Sequence, residues 1–353
     1  MVVNTSVIAE LCIYILTWNV GTHQPGDISL SDMLSLNGTT KCPDNKLPDM
    51  YIMGFQEVSS KPKNQFINIF QDDQWTLKLR EELSEHDFVK VETEQMQGLL
   101  INVWTRPEHV FHMQDIETEK TKTGLGGLWG NKGAVSVRMS LYGTGVTFIV
   151  AHLAAHDEEL KERVIDYNQI VDNHHYKAKR YRTIFDHDVV FWFGDLNFRL
   201  NGHDSAWDVR GDVENNRLDS LFTRDQLSMV REAGNAFALM EEQQPTFPPT
   251  FKFIEGTSDY DLKRRPAWCD RILYRVVKDK YPDIELELQQ LSYKSHPQYT
   301  LSDHKPVTAE FLYTIKATTH TTEEIYAMTH GGSETPLSSV IIIMFSLYLT
   351  VFY

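Results

Sequence analysis

Cysteine is scarce in this chain. There are three, Cys12, Cys42 and Cys269, in 353 residues. The count is odd and the spacings fit no metal-ligand pattern. That excludes a zinc module and reads as a reduced, intracellular chain rather than a disulfide framework. Positive charge is also short, with 34 Lys and Arg against 49 Asp and Glu and a net charge of −15. A broad non-specific nucleic-acid binder carries a basic surface, so nucleic acid is set aside as a partner, although a local basic pocket is not. No internal repeat is present. The start, "MVVNTSVIAELCIYILTWN", lacks the basic segment of a secretory leader and has Glu10 inside its apolar stretch, so it reads as a first strand. In a cytosolic chain the sequons at Asn4 and Asn37 carry no meaning.

What is present is a succession of strand-like runs at 11–17, 50–55, 98–104, 133–141, 145–151, 188–193, 270–277 and 306–313. Helix-like pieces lie between them: "SDMLSLN", "DEELKERVIDYNQIVDNHHY" and "RDQLSMVREAGNAFALMEEQ". Interleaved strands and helices, with adjacent strands joined by "YGTG", predict an α/β (α+β) two-sheet sandwich flanked by helices. A domain over 8–315 is followed by a Thr-rich linker, 316–339, and an apolar tail, 340–353. As a helix the tail would reach ~21 Å, short of a ~30 Å hydrocarbon core. It reads as a membrane anchor, a docking segment or an alternative chain end.

Polar groups of one kind recur where apolar runs stop. Asn19 closes "TWN", Glu57 follows "MGFQ", His152 ends "IVAH", and Asp303-His304 stand just before the last strand. In "FWFGDLNFRL", Asp195, Asn197 and Arg199 follow at spacing two, which in an extended chain points them to one side. With strands side by side, these ends form one rim. Glu57, Asp195 and Asp303 crowded there would repel without a cation. Oxygen donors without a Cys–His cluster select Mg²⁺ over Zn²⁺. The chemistry so implied is metal-assisted phosphoester hydrolysis. "CDRILYR" formally matches a Cys-x5-Arg phosphatase loop, but its bulky, strand-like residues cannot wrap a phosphate with backbone N–H groups.

"WFGDLNFRL" and "RPAWCDRILYR" resemble the two signature motifs of the inositol polyphosphate 5-phosphatases. "TWNVGT", "GFQEV", "GLWGNKGAVSVRM", "AHLAAHDEELKERVIDY", "FPPTFKF" and "SDHKPV" fall in that family's order, over residues 11–314. "GLWGNKGAV" and "DISLSDMLSLN" are similar to the branch of the skeletal-muscle and kidney-enriched enzyme and its proline-rich relative. The resemblance implies the fold shared with DNase I and abasic-site endonucleases. It implies Glu57 as the principal Mg²⁺ ligand with Asn19 and Asp303 nearby, and Asp195 as the group that orients and deprotonates water. Asn197 and His152 would bond the scissile 5-phosphate. His304 would act as an imidazolium steered by Asp270.

The substrates implied are phosphoinositide lipids in membranes, phosphatidylinositol 4,5-bisphosphate and the 3,4,5-trisphosphate, with soluble inositol phosphates as a further class. Lys132, Arg199, Lys252, Lys263 and Arg264 would meet the phosphates. Phe251 replaces the family's usual Tyr, Leu262 aligns with an upstream Lys, and Val164 stands where an Asn is common. Leu125, Leu128 and Trp129 in "TGLGGLW" offer a shallow membrane contact. The expected location is cytoplasmic, at plasma-membrane or endoplasmic-reticulum surfaces. An endonuclease on the same scaffold and an inactive lipid-binding adaptor are the other classes.

Overall fold

The computed structural model describes residues 4–59, 72–124, 129–202, 204–278 and 280–319. In chain order the strands are β1 (Asn4–Asn19), β2 (Met50–Gln56), β3 (Val89–Met96), β4 (Leu99–Thr105), β5 (Met113–Thr123), β6 (Trp129–Leu141), β7 (Thr144–His152), β8 (Val189–Asp195), β9 (Asp270–Val276), β10 (Ile284–Ser295) and β11 (Val307–Thr319). One sheet has the order β10-β11-β1-β2-β4-β3, the other β5-β6-β7-β8-β9. Their inner faces share one apolar core. Ile13, Ile15, Ile52 and Phe311 of the first sheet meet Val137, Phe148, Phe191 and Phe193 of the second. The two sheets approach closely at Gly54, where an added Cβ would lie 2.5 Å from Val150 and 2.7 Å from Phe193. Only hydrogen fits there.

Helices cover the outer faces. Helix α1 (Gln74–Ser84) is capped by Asp73, which accepts from the backbone of Trp75 and Thr76. It buries Trp75, Leu79 and Leu83 against the first sheet, with the Trp75 ring stacked on Phe55. Helix α2 (Leu160–Asn173) packs Tyr167 on Trp192 of the second sheet. The short helices α3 (Ala206–Glu214), α4 (Leu218–Phe222) and α5 (Gln226–Glu232) follow β8.

All eight strands read from the sequence are present, and "YGTG" joins the antiparallel pair β6 and β7. Three strands that the sequence reading did not name are β3, β5 and β10. "SDMLSLN" is a run of turns rather than a helix, with Ser35 at φ 55°. The third predicted helix stops at Glu232, ahead of Gly234. Residues 316–319, assigned above to the linker, belong to β11. Leu125, Leu128, the rest of the linker and the apolar tail lie outside the described residues, and Trp129 is placed only as the first residue of β6. No helix among the described residues is long and apolar enough to cross a membrane.

The cysteine reading is overturned. Cys12 of β1 and Cys42 are joined in a disulfide, with Cα atoms 5.7 Å apart. Residues 30 positions apart could not be paired by spacing alone.

Arg271, inside the second signature motif, has a structural task. It is fully buried between Asp225 (2.8 Å) and both oxygens of Glu242 (2.6 Å each), and the Tyr293 hydroxyl donates to the same Glu242. Arg271→Met would leave Asp225 buried without its cation and Glu242 with only Arg231, 3.7 Å away. The expected loss of unfolding free energy is about 3–5 kcal/mol. Urea denaturation measures it, and a change below about 1 kcal/mol would show that the carboxylates find other partners.

Candidate active site

Two parallel strand pairs make the rim. β1 runs parallel to β2, with Asn19 beside Gln56, and β7 runs parallel to β8, with His152 beside Asp195. β9 starts antiparallel to β8 at the pair Asp195 and Asp270. Side chains from both sheets therefore meet at one end of the sandwich. Gly194 makes the last step possible. Its φ is +143°, and a Cβ there would strike the Ala151 carbonyl oxygen at 1.9 Å.

Asp195 is the centre of the arrangement, buried to 1% exposure. The Asn19 amide donates to its Oδ2 (2.9 Å) and to Glu57 Oε1 (3.1 Å). His152 Nε2 lies 3.3 Å and His304 Nε2 3.8 Å from the same Oδ2. Burial opposes ionisation of Asp195, but His304, His152 and Lys132 outweigh it and hold the carboxyl well below its usual range. His152 moves down instead, through burial and the Lys132 ammonium in contact with its Nε2.

His304 is held on three sides. Its Nδ1 faces Asp270 Oδ2 at 2.9 Å, the Thr250 hydroxyl donates to that oxygen at 2.7 Å, and the Phe251 ring lies 4.5 Å away. Burial works against the charged imidazole, yet the carboxylates of Asp270 and Asp195 push it up to about 9. Asp195, Asp270 and His304 are close enough together to hold an ion. The imidazolium already supplies the positive charge between those carboxylates, so we read the triple as a proton-holding unit.

A cavity of about 220 Å³ opens above these groups. Its wall contains Glu57, Lys132, Arg199, Lys252, Arg264 and Asp303 from the sequence reading. Lys263 is exposed and outside the wall, and Arg265 is bound to Asp157. Asn197, at φ 58°, donates its amide to Leu153 O (3.0 Å) and accepts from Arg199 Nη2 (2.6 Å). It braces Arg199, which also lies 4.5 Å over the Phe251 ring. The Phe251 ring thus supports both His304 and Arg199. Arg199 Nη1 is buried without a hydrogen-bond partner, with Asp157 Oδ1 4.0 Å away as its ion-pair neighbour, and can donate to an anion in the cavity.

The oxygen donors suit a hard divalent cation. Glu57 is 44% exposed at the cavity, and Asp303 Oδ2 faces Lys252 at 2.8 Å. Asn19 departs from the expected ligand role. Its Oδ1 accepts from the Gly21 N–H (3.0 Å), so the amide nitrogen faces the carboxylates. A half-turn of the carboxamide would present the oxygen to a cation.

The sequence reading missed Thr250, which fixes Asp270, and the wall residues His156 and Asp157. The "HDEE" that ends "HLAAHDEE" was the only signal for His156 and Asp157. Thiolate chemistry is excluded. Cys269 is fully buried, its thiol pushed well up by burial, while Arg275 lies near the opposite end of β9. A larger cavity of about 600 Å³, lined by Phe222, Met229 and Arg231, contains none of the rim residues.

A two-sheet sandwich with a carboxylate and histidine rim defines a metal-assisted phosphoesterase class. Residues 16–310 match the model of Endonuclease/Exonuclease/phosphatase family 2, and the chain belongs to that family, among its inositol polyphosphate 5-phosphatases. It is 38% identical over 310 residues to the Phosphatidylinositol 4,5-bisphosphate 5-phosphatase A of Mus musculus, covering 85% of this chain and 30% of that protein. It is 34% identical over 313 residues to the Inositol polyphosphate 5-phosphatase K of Mus musculus, covering 85% of this chain and 65% of that one. The chain thus spans less than two thirds of either relative's length. The inositol polyphosphate 5-phosphatase domain of SPsynaptojanin, solved with inositol (1,4)-bisphosphate and a calcium ion, superposes with a TM-score of 0.74 at 31% identity, covering 89% of this chain and 87% of that one.

Proposed function

We propose that this chain hydrolyses the 5-phosphate of phosphatidylinositol 4,5-bisphosphate, of the 3,4,5-trisphosphate and of soluble inositol polyphosphates, using Mg²⁺ and direct attack by water. The observation that carries this reading is the ionised, buried Asp195, held between both sheets and beside Glu57. Glu57 and Asp303, with a turned Asn19, would hold the ion, which when bound neutralises the phosphoryl oxygens.

The chain's own residues do the rest. Asp195 orients the water and takes its proton. His152, Asn197 and Arg199 hold the phosphoryl group, Arg199 through Nη1, which makes no hydrogen bond within the protein. His304, its Nδ1 tied to Asp270, directs Nε2 at the charge that develops. Among the described residues the cavity wall holds no Cys, Ser or Thr to act as a nucleophile, which supports direct hydrolysis.

Lys252 and Arg264 are the cations placed for a neighbouring ring phosphate. Lys252 is already paired with Asp303, so Arg264 gives the cleaner test. Arg264→Ala is expected to lower kcat/KM about tenfold on substrates with a 4-phosphate, the loss of roughly one charge-assisted hydrogen bond. Activity on a 5-phosphorylated lipid lacking the 4-phosphate should change by less than about twofold, within the range of a surface substitution. Equal losses on both would remove the 4-phosphate role.

The reaction itself is tested by phosphate release from short-chain phosphoinositides and soluble inositol phosphates, with Mg²⁺ and with EDTA. Release only from 5-phosphorylated compounds, and only with Mg²⁺, is the expected result. A folded protein that releases nothing from any of them would make it a binding protein.

A further inference from the structure

The Cys12–Cys42 disulfide removes the ground on which the sequons were set aside. Both cysteines are buried, at 3% and 4% exposure, and they close a loop of 30 residues. A pair of that kind forms and persists in oxidising compartments and is reduced in the cytosol. The same loop carries Asn37-Gly38-Thr39, ending three residues before Cys42. All three residues are exposed and lie in a turn.

Gly38 has φ +83°, and a Cβ there would meet nothing within 4 Å, so the turn faces open solvent. The Asn37 amide donates only to the exposed Asp32, and the Thr39 hydroxyl donates to Asn37 Oδ1 at 3.0 Å. The following residues, Thr40 and Lys41, are anchored to Glu310 of β11, which pairs with Tyr14, five residues before Asn19 on β1. At ~3.3 Å per residue that is ~16 Å from the rim, so a large group on Asn37 would leave the cavity open. The other sequon begins at Asn4, which is committed to the β1–β11 ladder opposite Thr319.

We infer that Asn37 carries an N-linked oligosaccharide and that the chain matures in an oxidising, secretory compartment. Two thiols give up two protons and two electrons to a protein dithiol–disulfide oxidant as the Cys12–Cys42 bond forms. At Asn37, Nδ2 loses a proton and bonds the first sugar carbon. The carbon–oxygen bond to a lipid-linked diphosphate carrier breaks, and the diphosphate leaves. Neither step rests on the 5-phosphatase reading, and both set a location different from the cytoplasm expected from cysteine count.

The test is peptide mass spectrometry on the native protein isolated from the cells that make it. The protein is alkylated without reduction and digested before and after peptide N-glycosidase. The Asn37 peptide should appear, deamidated, only after the glycosidase, and Cys12 and Cys42 should be found linked. On a gel, Asn37→Gln should abolish the glycosidase-sensitive shift while Asn4→Gln keeps it, with turnover of both within about twofold of the parent. An Asn37 peptide found unmodified before glycosidase treatment would overturn the proposal, as would Cys12 and Cys42 alkylated without reduction. The native-protein measurement decides even where a variant fails to fold.

Discussion

Asp195→Asn is expected to lower kcat by about three to four orders of magnitude, the worth of a positioned general base, while KM moves by less than about threefold. The amide keeps the shape and can still bond Asn19 and His152, so substrate binding survives and proton removal does not. Asp195 ionises far below neutrality because His304, His152 and Lys132 surround it once burial has been overcome. The depressed value also has a sign for stability. The ionised carboxylate stabilises the fold at pH above its unfolded value, near 3.9, and that contribution is lost as pH falls through the folded value. Steady-state kinetics on a short-chain substrate supply the measurement. A variant retaining more than about a tenth of parental kcat would pass the role of base to another group.

Asp270→Asn is expected to cost about two to three orders of magnitude in kcat, because the imidazolium it steers loses the charge that holds its proton. The pH profile distinguishes this from simple misfolding. In the parent, rate should fall as pH rises through about 9, where His304 loses its proton. In the variant that alkaline limb should move to lower pH, since the carboxylate that does most to raise His304 is gone. The raised value stabilises the fold fully below the unfolded histidine value of about 6.5, and that stabilisation is lost as pH rises through about 9. An alkaline limb at the parental pH in Asp270→Asn would show that the carboxylate does not hold this proton.

What could be read from the chain follows a physical line. Eight strands were legible because their apolar runs are buried, as the unbroken burial of β2, β4, β7 and β8 shows. The three that escaped, β3, β5 and β10, are edges of the two sheets. Stretches such as "VKVETEQM" and "MQDIETEKTKT" carry the charge and threonine that an edge facing solvent tolerates, so no apolar run marks them. At the site, Asn19, Glu57, His152 and Asp195 stood out because each interrupts or ends a buried run. Thr250 and Asp157 lie in irregular segments, where periodicity says nothing. Phe251 was legible only as a lost hydroxyl, yet its ring supports His304 and Arg199. The disulfide escaped because an odd cysteine count suggests none, while Cys269 was the one left over.

The approach of the sheets at Gly54 bears on the chemistry above it. Asn19, Glu57, Asp303 and His304 ride on or beside one sheet, and His152, Asp195 and Asp270 on the other. The gap between Glu57 and Asp303 on one side and Asp195 on the other is therefore set by the thickness of the core, as the opening of a caliper is set by what its jaws rest on. Gly54 is the rest, three residues from Glu57 and against Phe193, two residues from Asp195. The enzyme is gauged from within. A single methyl deep in the sandwich would open the jaws, so substitutions far from any substrate should enter its rate as changes of distance rather than of charge.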